Sequence, residues 1–131
     1  MKTASPTRAL GRVLVVEDER DVAELIRYNL GKEGYDVLVT ASGTDAVKQA
    51  REARPDIVLL DIMVPHLNGW EVCRRLKQDA ETRAIPVIMV SSKGQETDRI
   101  WGMRQGAVDY LVKPVTPAQL VEKAQAALLA G

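Results

Sequence analysis

The chain lacks most of what would mark a secreted, membrane or nucleotide-binding protein. One cysteine, Cys73, in 131 residues excludes an internal disulfide and suits a reducing compartment. No apolar run approaches the length of a membrane-spanning helix. Met1 to Gly11 holds Lys2 and Arg8 but no apolar stretch, so it reads as a flexible N-terminal tail (1–11) rather than a signal peptide. The expected location is the cytoplasm. Formal net charge is zero and the basic residues are scattered, so there is no electrostatic footprint for nucleic acid. The only histidine, His66, leaves no choice of base for a Ser–His–Asp set and no His–Cys cluster for zinc; it reads as a solvated loop residue. There is no G-x-x-x-x-G-K-[ST] loop and no G-x-G-x-x-G after the first strand, where Glu17-Asp18-Glu19-Arg20-Asp21 would repel a nucleotide's phosphates.

What is present is a strict alternation over residues 12–131, expected to be one domain. Val13 to Val16, Asp36 to Thr40, Ile57 to Leu60, Val87 to Val90 and Tyr110 to Val112 read as short strands. The second is the least apolar and belongs at a sheet edge. Between the strands lie amphipathic segments. The first is expected to bury Val22, Leu25, Ile26 and Leu30, the second Ala46, Val47, Ala50 and Ala53, the third Val72, Cys73 and Leu76. Ser42 or Thr44 can cap the second helix and Thr97 the fourth, which runs to Gln105 and stops at Gly106. Pro117 opens the last helix. Five βα units with nearly all-apolar strands predict an α/β fold, a parallel sheet covered by helices on both faces.

In such a sheet every carboxyl end lies on one edge. The first strand delivers Glu17 and Asp18 there, the third Asp61, the fourth Ser91 and the fifth Lys113. Each alone has a plain explanation as a cap, a turn or a surface ion pair. Four of five strands carrying one at the same edge is harder to explain that way. Three clustered carboxylates repel, which favours protonation or a divalent cation. A hard ion with oxygen ligands, Mg²⁺, suits the set. A carboxylate so held and facing a lysine can act as a nucleophile toward a phosphoryl group, with Lys113 and the Ser91 hydroxyl neutralising its oxygens.

Taken together, Val15-Val16-Glu17-Asp18-Glu19, Leu59-Leu60-Asp61-Ile62-Met63-Val64-Pro65 with Asn68-Gly69, Val90-Ser91-Ser92-Lys93 and Asp109-Tyr110-Leu111-Val112-Lys113-Pro114 resemble the receiver domain of two-component response regulators. The likeness runs from about Arg12 to Leu129. It implies a doubly wound, five-stranded, flavodoxin/CheY-like sheet in the order 2-1-3-4-5 with five helices. It also implies that Asp61 is the phosphoacceptor, supplied by a sensor histidine kinase or phosphotransfer protein. Glu17, Asp18 and Asp61 would hold Mg²⁺ with the backbone carbonyl of Met63. Ser91 and Lys113 would engage the phosphoryl group, and Tyr110 would be a switch aromatic moving with Ser91. Lys113-Pro114 would be cis. Met63 and Lys93 would border the site and bear on how long the phosphoryl group lasts. Such a protein is a signalling switch rather than an enzyme beyond its own phosphorylation and dephosphorylation.

Two output classes fit the resemblance. Gln95 to Ala107 is similar to stand-alone, PilH-like receivers of twitching-motility chemosensory systems, which act on a partner protein, and the sequence closes at Gly131 directly after the last helix. Arg27 to Tyr35 resembles the receivers of PhoB/OmpR-type DNA-binding regulators, which pair through the fourth helix, fifth strand and fifth helix. The charge network of that pairing is thinned: Val108-Asp109 stands where an acidic pair is expected, and Lys123 is followed by Gln125 and Leu128-Leu129-Ala130. The stand-alone class is therefore expected, as a monomer or a phosphorylation-dependent dimer with no nucleic acid bound through this domain. Trp101 is expected in the core, the alternative being an anchor for a partner. A free-standing phosphohydrolase is disfavoured, because Ile62-Met63 offers no second acid after Asp61.

Overall fold

The computed structural model of the protein describes residues 10–130. Residues 1–9 of the expected tail lie outside that range. Leu10 donates its N–H to the Gly34 carbonyl and Gly11 accepts from Asp36 N–H, both at 2.9 Å, so the chain is tied down just before the sheet begins. The elements alternate without exception: β1 (Arg12–Val16), α1 (Arg20–Lys32), β2 (Asp36–Thr40), α2 (Gly43–Ala53), β3 (Ile57–Leu60), α3 (Gly69–Gln78), β4 (Val87–Ser91), α4 (Glu96–Arg104), β5 (Asp109–Val112) and α5 (Pro117–Ala130). All strands are parallel, in the order β2-β1-β3-β4-β5. This is the predicted doubly wound α/β sheet, with β2 at its edge.

The apolar runs are explained by two separate cores. Successive side chains of a strand point to opposite faces. Leu14, Val16, Val58, Leu60 and Met89 face one core with Ala46 and Ala50 of α2 and Val72, Cys73 and Leu76 of α3. Val13, Val15, Ile57, Leu59, Ile88 and Val90 face the other, with Ile26 and Leu30 of α1 and Leu120 and Ala124 of α5. A strand buried on both faces has no polar position until it ends. Polarity therefore begins where the chain leaves the sheet.

Helix boundaries follow local chemistry. Ser42 caps α2, its hydroxyl accepting from Asp45 N–H at 3.2 Å. Asn68 caps α3 by accepting from Glu71 N–H at 3.0 Å. The cap of α4 is Gln95 rather than the expected Thr97; the Asp98 carboxylate accepts from Gln95 N–H at 3.3 Å, and that reciprocal contact sets the start two residues early. α4 ends at Arg104, and Gly106 leaves it with φ +109°, a conformation glycine adopts without strain.

The buried face of α1 differs from the expected one. Ala23, Ile26, Asn29 and Leu30 are buried, Val22 is half-buried and Leu25 is 56% exposed. Ala23 is buried where Leu25 was expected to be, and Leu25 instead lines a cavity between α1 and the start of α5. Trp101 departs further: it is 48% exposed, and only Gly102 of α4 is buried. A Cβ on Gly102 would meet the Tyr110 ring at 3.2 Å. Contact between α4 and β5 is made by backbone against the Tyr110 ring, which leaves the large side chains of α4 outside.

Cys73 is fully buried and its thiol donates to the Gln105 carbonyl at 3.4 Å. Burial pushes the thiol up to about 11. Folding therefore favours the neutral thiol, a stabilisation complete below its unfolded value of about 8.5 and lost as pH rises through the folded value. At pH 8 iodoacetamide should alkylate the native protein about 200-fold more slowly than the urea-unfolded chain, in line with the ratio of thiolate fractions. Equal rates by intact mass would show that Cys73 is reached without unfolding.

Candidate active site at the carboxyl edge

The strand register builds the site. Val16 pairs with Leu60, and Leu60 with Met89, so the residues that follow Val16 and Leu60 emerge side by side at the edge. Backbone hydrogen bonding continues one residue beyond the strands: Glu17 N–H donates to Thr40, Asp61 N–H to Val16 and Lys113 N–H to Ser91, at 3.0, 3.0 and 2.9 Å. The site side chains thus spring from the last rigid step of the sheet, and their backbones have little freedom.

Glu17, Asp18 and Asp61 each offer a carboxylate oxygen within 4.8 Å of the others. Glu17 is 3% and Asp61 5% exposed, while Asp18 opens to solvent. Lys113 reaches across from β5 and donates to Glu17 Oε1 at 2.6 Å and to Asp61 Oδ2 at 2.9 Å. Backbone N–H groups take two of the other oxygens: Glu19 donates to Glu17 Oε2 and Met63 to Asp61 Oδ1, both at 3.1 Å. Burial pushes Glu17 above the usual carboxylate range, and the nearby Asp61 charge adds to that; the Lys113 ammonium works against both without cancelling them. Burial would lower the Lys113 ammonium, but its bonds to Glu17 and Asp61 outweigh burial and hold it above its usual value. It carries its charge throughout the physiological range.

The donor set is all oxygen, mixed buried and open, with no histidine or cysteine. That fits a hard divalent cation that keeps part of its water shell, as Mg²⁺ does. The raised Glu17 carboxyl is what a cation would relieve.

The remaining predicted residues border this cluster. Ser91 is fully buried at the end of β4, and its hydroxyl accepts from Lys93 N–H at 3.3 Å rather than contacting Asp61. Tyr110 is turned inward, 5% exposed, with its hydroxyl donating to the Lys93 carbonyl; burial raises the phenol. The Lys113–Pro114 bond is cis. The Met63 side chain is 58% exposed beside Asp61, and His66 stands exposed in the following loop. Two features were not legible in the sequence. Gly69 lets α3 start against the Asp61 backbone, where a Cβ would lie 2.5 Å from the Asp61 carbonyl oxygen. A cavity of about 390 Å³ opens next to Lys113, between α1 and the start of α5, lined by Val22, Leu25, Ile26, Val90, Pro114 and Leu120.

A sequence profile described as the response regulator receiver domain matches residues 13–125. The chain is 47% identical over 119 residues to protein PilH of Pseudomonas aeruginosa, covering 91% of this chain and 98% of that protein. It is 38% identical over 117 residues to the alkaline phosphatase synthesis transcriptional regulatory protein PhoP of Bacillus subtilis, covering 89% of this chain but 48% of PhoP. Among solved structures it is similar to the receiver domain of the sensor histidine kinase PA1611 from Pseudomonas aeruginosa, which has a magnesium ion in its active site cleft. There the TM-score is 0.84 at 30% identity, over 90% of this chain and 97% of that one. The BeF3-activated N-terminal receiver domain of Klebsiella pneumoniae RstA matches with TM-score 0.83 and 33% identity, over 89% and 97% of the two chains.

The raised Glu17 carboxyl has a measurable consequence. A carboxyl whose pKa rises on folding contributes stability that is present below its unfolded value, about 4.3, and lost as pH climbs through the folded one. Glu17→Gln cannot ionise and escapes that loss. Urea unfolding should show the variant more stable than the wild type at pH 7, with the difference closing near pH 4. A variant less stable at pH 7 would mean that the ionised Glu17–Lys113 pair is favourable on balance.

Proposed function

The chain belongs to the response regulator receiver domain family, and on that premise we propose that Asp61 is its phosphoacceptor and that its phosphorylation switches the α4–β5–α5 face toward a partner protein. The observation that carries this reading is the meeting of Glu17, Asp18 and Asp61 within 4.8 Å opposite the Lys113 ammonium. Mg²⁺, held by Glu17, Asp18, Asp61 and the Met63 carbonyl, would supply charge neutralisation for the transferred group. An Asp61 carboxylate oxygen forms the new O–P bond as the N–P bond of a donor phosphohistidine breaks, and the electron pair stays on the imidazole. Lys113 turns from Asp61 Oδ2 toward a phosphoryl oxygen, and the Ser91 hydroxyl approaches another, which orients the group and offsets its charge. Ile62 is buried and Met63 apolar, so no second acid follows Asp61 to speed hydrolysis. That supports a switch over a free-standing phosphatase.

Receivers take their phosphoryl group from histidine kinases or phosphotransfer proteins. The cavity beside Lys113 suits apolar side chains of such a donor, with exposed Leu25 at its rim. On the opposite flank Ile100, Trp101 and Met103 of α4 and Val108 and Val112 around β5 are exposed, an apolar surface with the composition of a protein contact. Asp109 pairs at 3.3 Å with Lys123 of the same chain, which leaves it less available for pairing with a second copy. Both features favour a stand-alone receiver acting on a partner protein, and the similarity to PilH supports a place in a chemosensory or motility pathway. A second reading, the receiver part of a PhoB/OmpR-type DNA-binding regulator, is favoured by the similarity to PhoP and by the likeness of Arg27 to Tyr35 to such receivers.

Incubation with acetyl phosphate and Mg²⁺ should add one phosphoryl group by intact mass in the wild type and none in Asp61→Asn or in the presence of EDTA. A persistent gain in Asp61→Asn would assign the chemistry to another residue. Trp101→Ala should leave this labelling intact and change folding stability by no more than about 0.5 kcal/mol, as for other exposed positions. A loss of several kcal/mol in urea unfolding would return Trp101 to a structural role and remove it as an anchor.

A further inference from the structure

One residue of the loop after β4 is tied to three others. Lys93 donates its backbone N–H to the Ser91 hydroxyl, accepts at its carbonyl from the Tyr110 hydroxyl, and holds its ammonium 6.0 Å from the centroid of the Trp70 ring. Trp70 lies in the first turn of α3, against the α2–α3 core. Its indole N–H is buried without a hydrogen-bond partner. An indole that leaves its polar edge unsatisfied is held there by its ring, and the face of that ring is an electrostatic partner for an ammonium. Its neighbour Gly69 is pressed on the Asp61 backbone, so Trp70 is referenced directly to the phosphoacceptor strand. On the other side the loop runs tight against β5: a Cβ on Gly94 would lie 2.9 Å from Val112 Cγ1.

We propose that Trp70 is a positioning residue for the switch. Through the Lys93 ammonium over its ring it holds the β4–α4 loop where Lys93 N–H meets Ser91 and the Lys93 carbonyl meets Tyr110. The contact joins α3, which reports the position of Asp61, to the loop that carries both switch side chains. It rests on the reading of Asp61 as phosphoacceptor: when the Ser91 hydroxyl turns to a phosphoryl group it leaves Lys93 N–H, the loop shifts, and the ammonium moves off the ring. Neither Trp70 nor the Lys93 side chain needs to touch the reacting atoms.

The chain has two tryptophans, so 5-fluorotryptophan labelling gives two ¹⁹F resonances, and the spectrum of Trp101→Phe identifies that of Trp70. Spectra are recorded before and after acetyl phosphate and Mg²⁺, with intact mass taken on the same samples. The Trp70 resonance should shift on phosphorylation in the unsubstituted chain. It should also shift in Lys93→Arg, which keeps a cation for the ring, and should not shift in Lys93→Met, which keeps the stem without the charge. Phosphorylated Lys93→Met showing the full shift, or phosphorylated Lys93→Arg showing none, overturns the proposal. A chain that gains no phosphoryl mass overturns the phosphoacceptor reading instead, and this proposal falls with it.

Discussion

Two nearly buried carboxylates and a third beside them share one edge of the sheet because the Lys113 ammonium stands between them. Unpaired, either Glu17 or Asp61 at this depth would be strongly disfavoured as an ion. Lys113 donates to both, and its own backbone N–H is bonded to Ser91 of β4. A single residue thereby spans β1, β3, β4 and β5, and the register of the whole sheet must be correct for it to do so. The compensation is incomplete, since Glu17 stays above the usual carboxylate range. That residual strain is consistent with a site built to accept further positive charge.

Much of this could be read from the chain itself, for a specific reason. Strands covered on both faces are apolar throughout, so Glu17, Asp61, Ser91 and Lys113 stand out as the first polar residues after each run. Parallel topology then puts all of them on one edge without further information. The face of α1 was harder. Val22, Leu25, Ile26 and Leu30 satisfy helical spacing, but a set that includes Ala23 and Asn29 satisfies it too, and which one faces the sheet depends on how closely the helix can approach. Trp101 misled for the opposite reason: a large aromatic is ordinarily buried, yet Gly102 beside it takes the contact with Tyr110 and pushes the indole out. The meeting of Lys93 with Trp70 joins a loop to a helix across the fold, and no local pattern announces it.

The surface chemistry of the α4–β5 flank follows from the same packing. α4 buries only a glycine, so its contribution to the core is small, and its stability leans on the Gln95–Asp98 cap and on contact with Tyr110. An element attached so lightly is easily displaced, which suits the output surface proposed for this face. Its exposed apolar side chains need a partner that supplies shape and dispersion rather than charge.

The two cores have a consequence for how such a domain diversifies. Val15 and Val16 are neighbours in sequence but belong to different compartments, as do Met89 with Val90 and Tyr110 with Leu111. The cavity beside α1 and α5 draws its walls from one compartment, while Tyr110 and the underside of α4 belong to the other. Substitutions on the two sides share few contacts and should be nearly additive in free energy. On the proposed roles, α1 and α4 can therefore drift nearly independently: chimaeras that exchange α1 with a related chain would inherit its donor preference and those that exchange α4 its target, while α5 borders both the cavity and the output face. The sheet between them acts as a septum, crossed by charge only where Lys113 reaches over its edge.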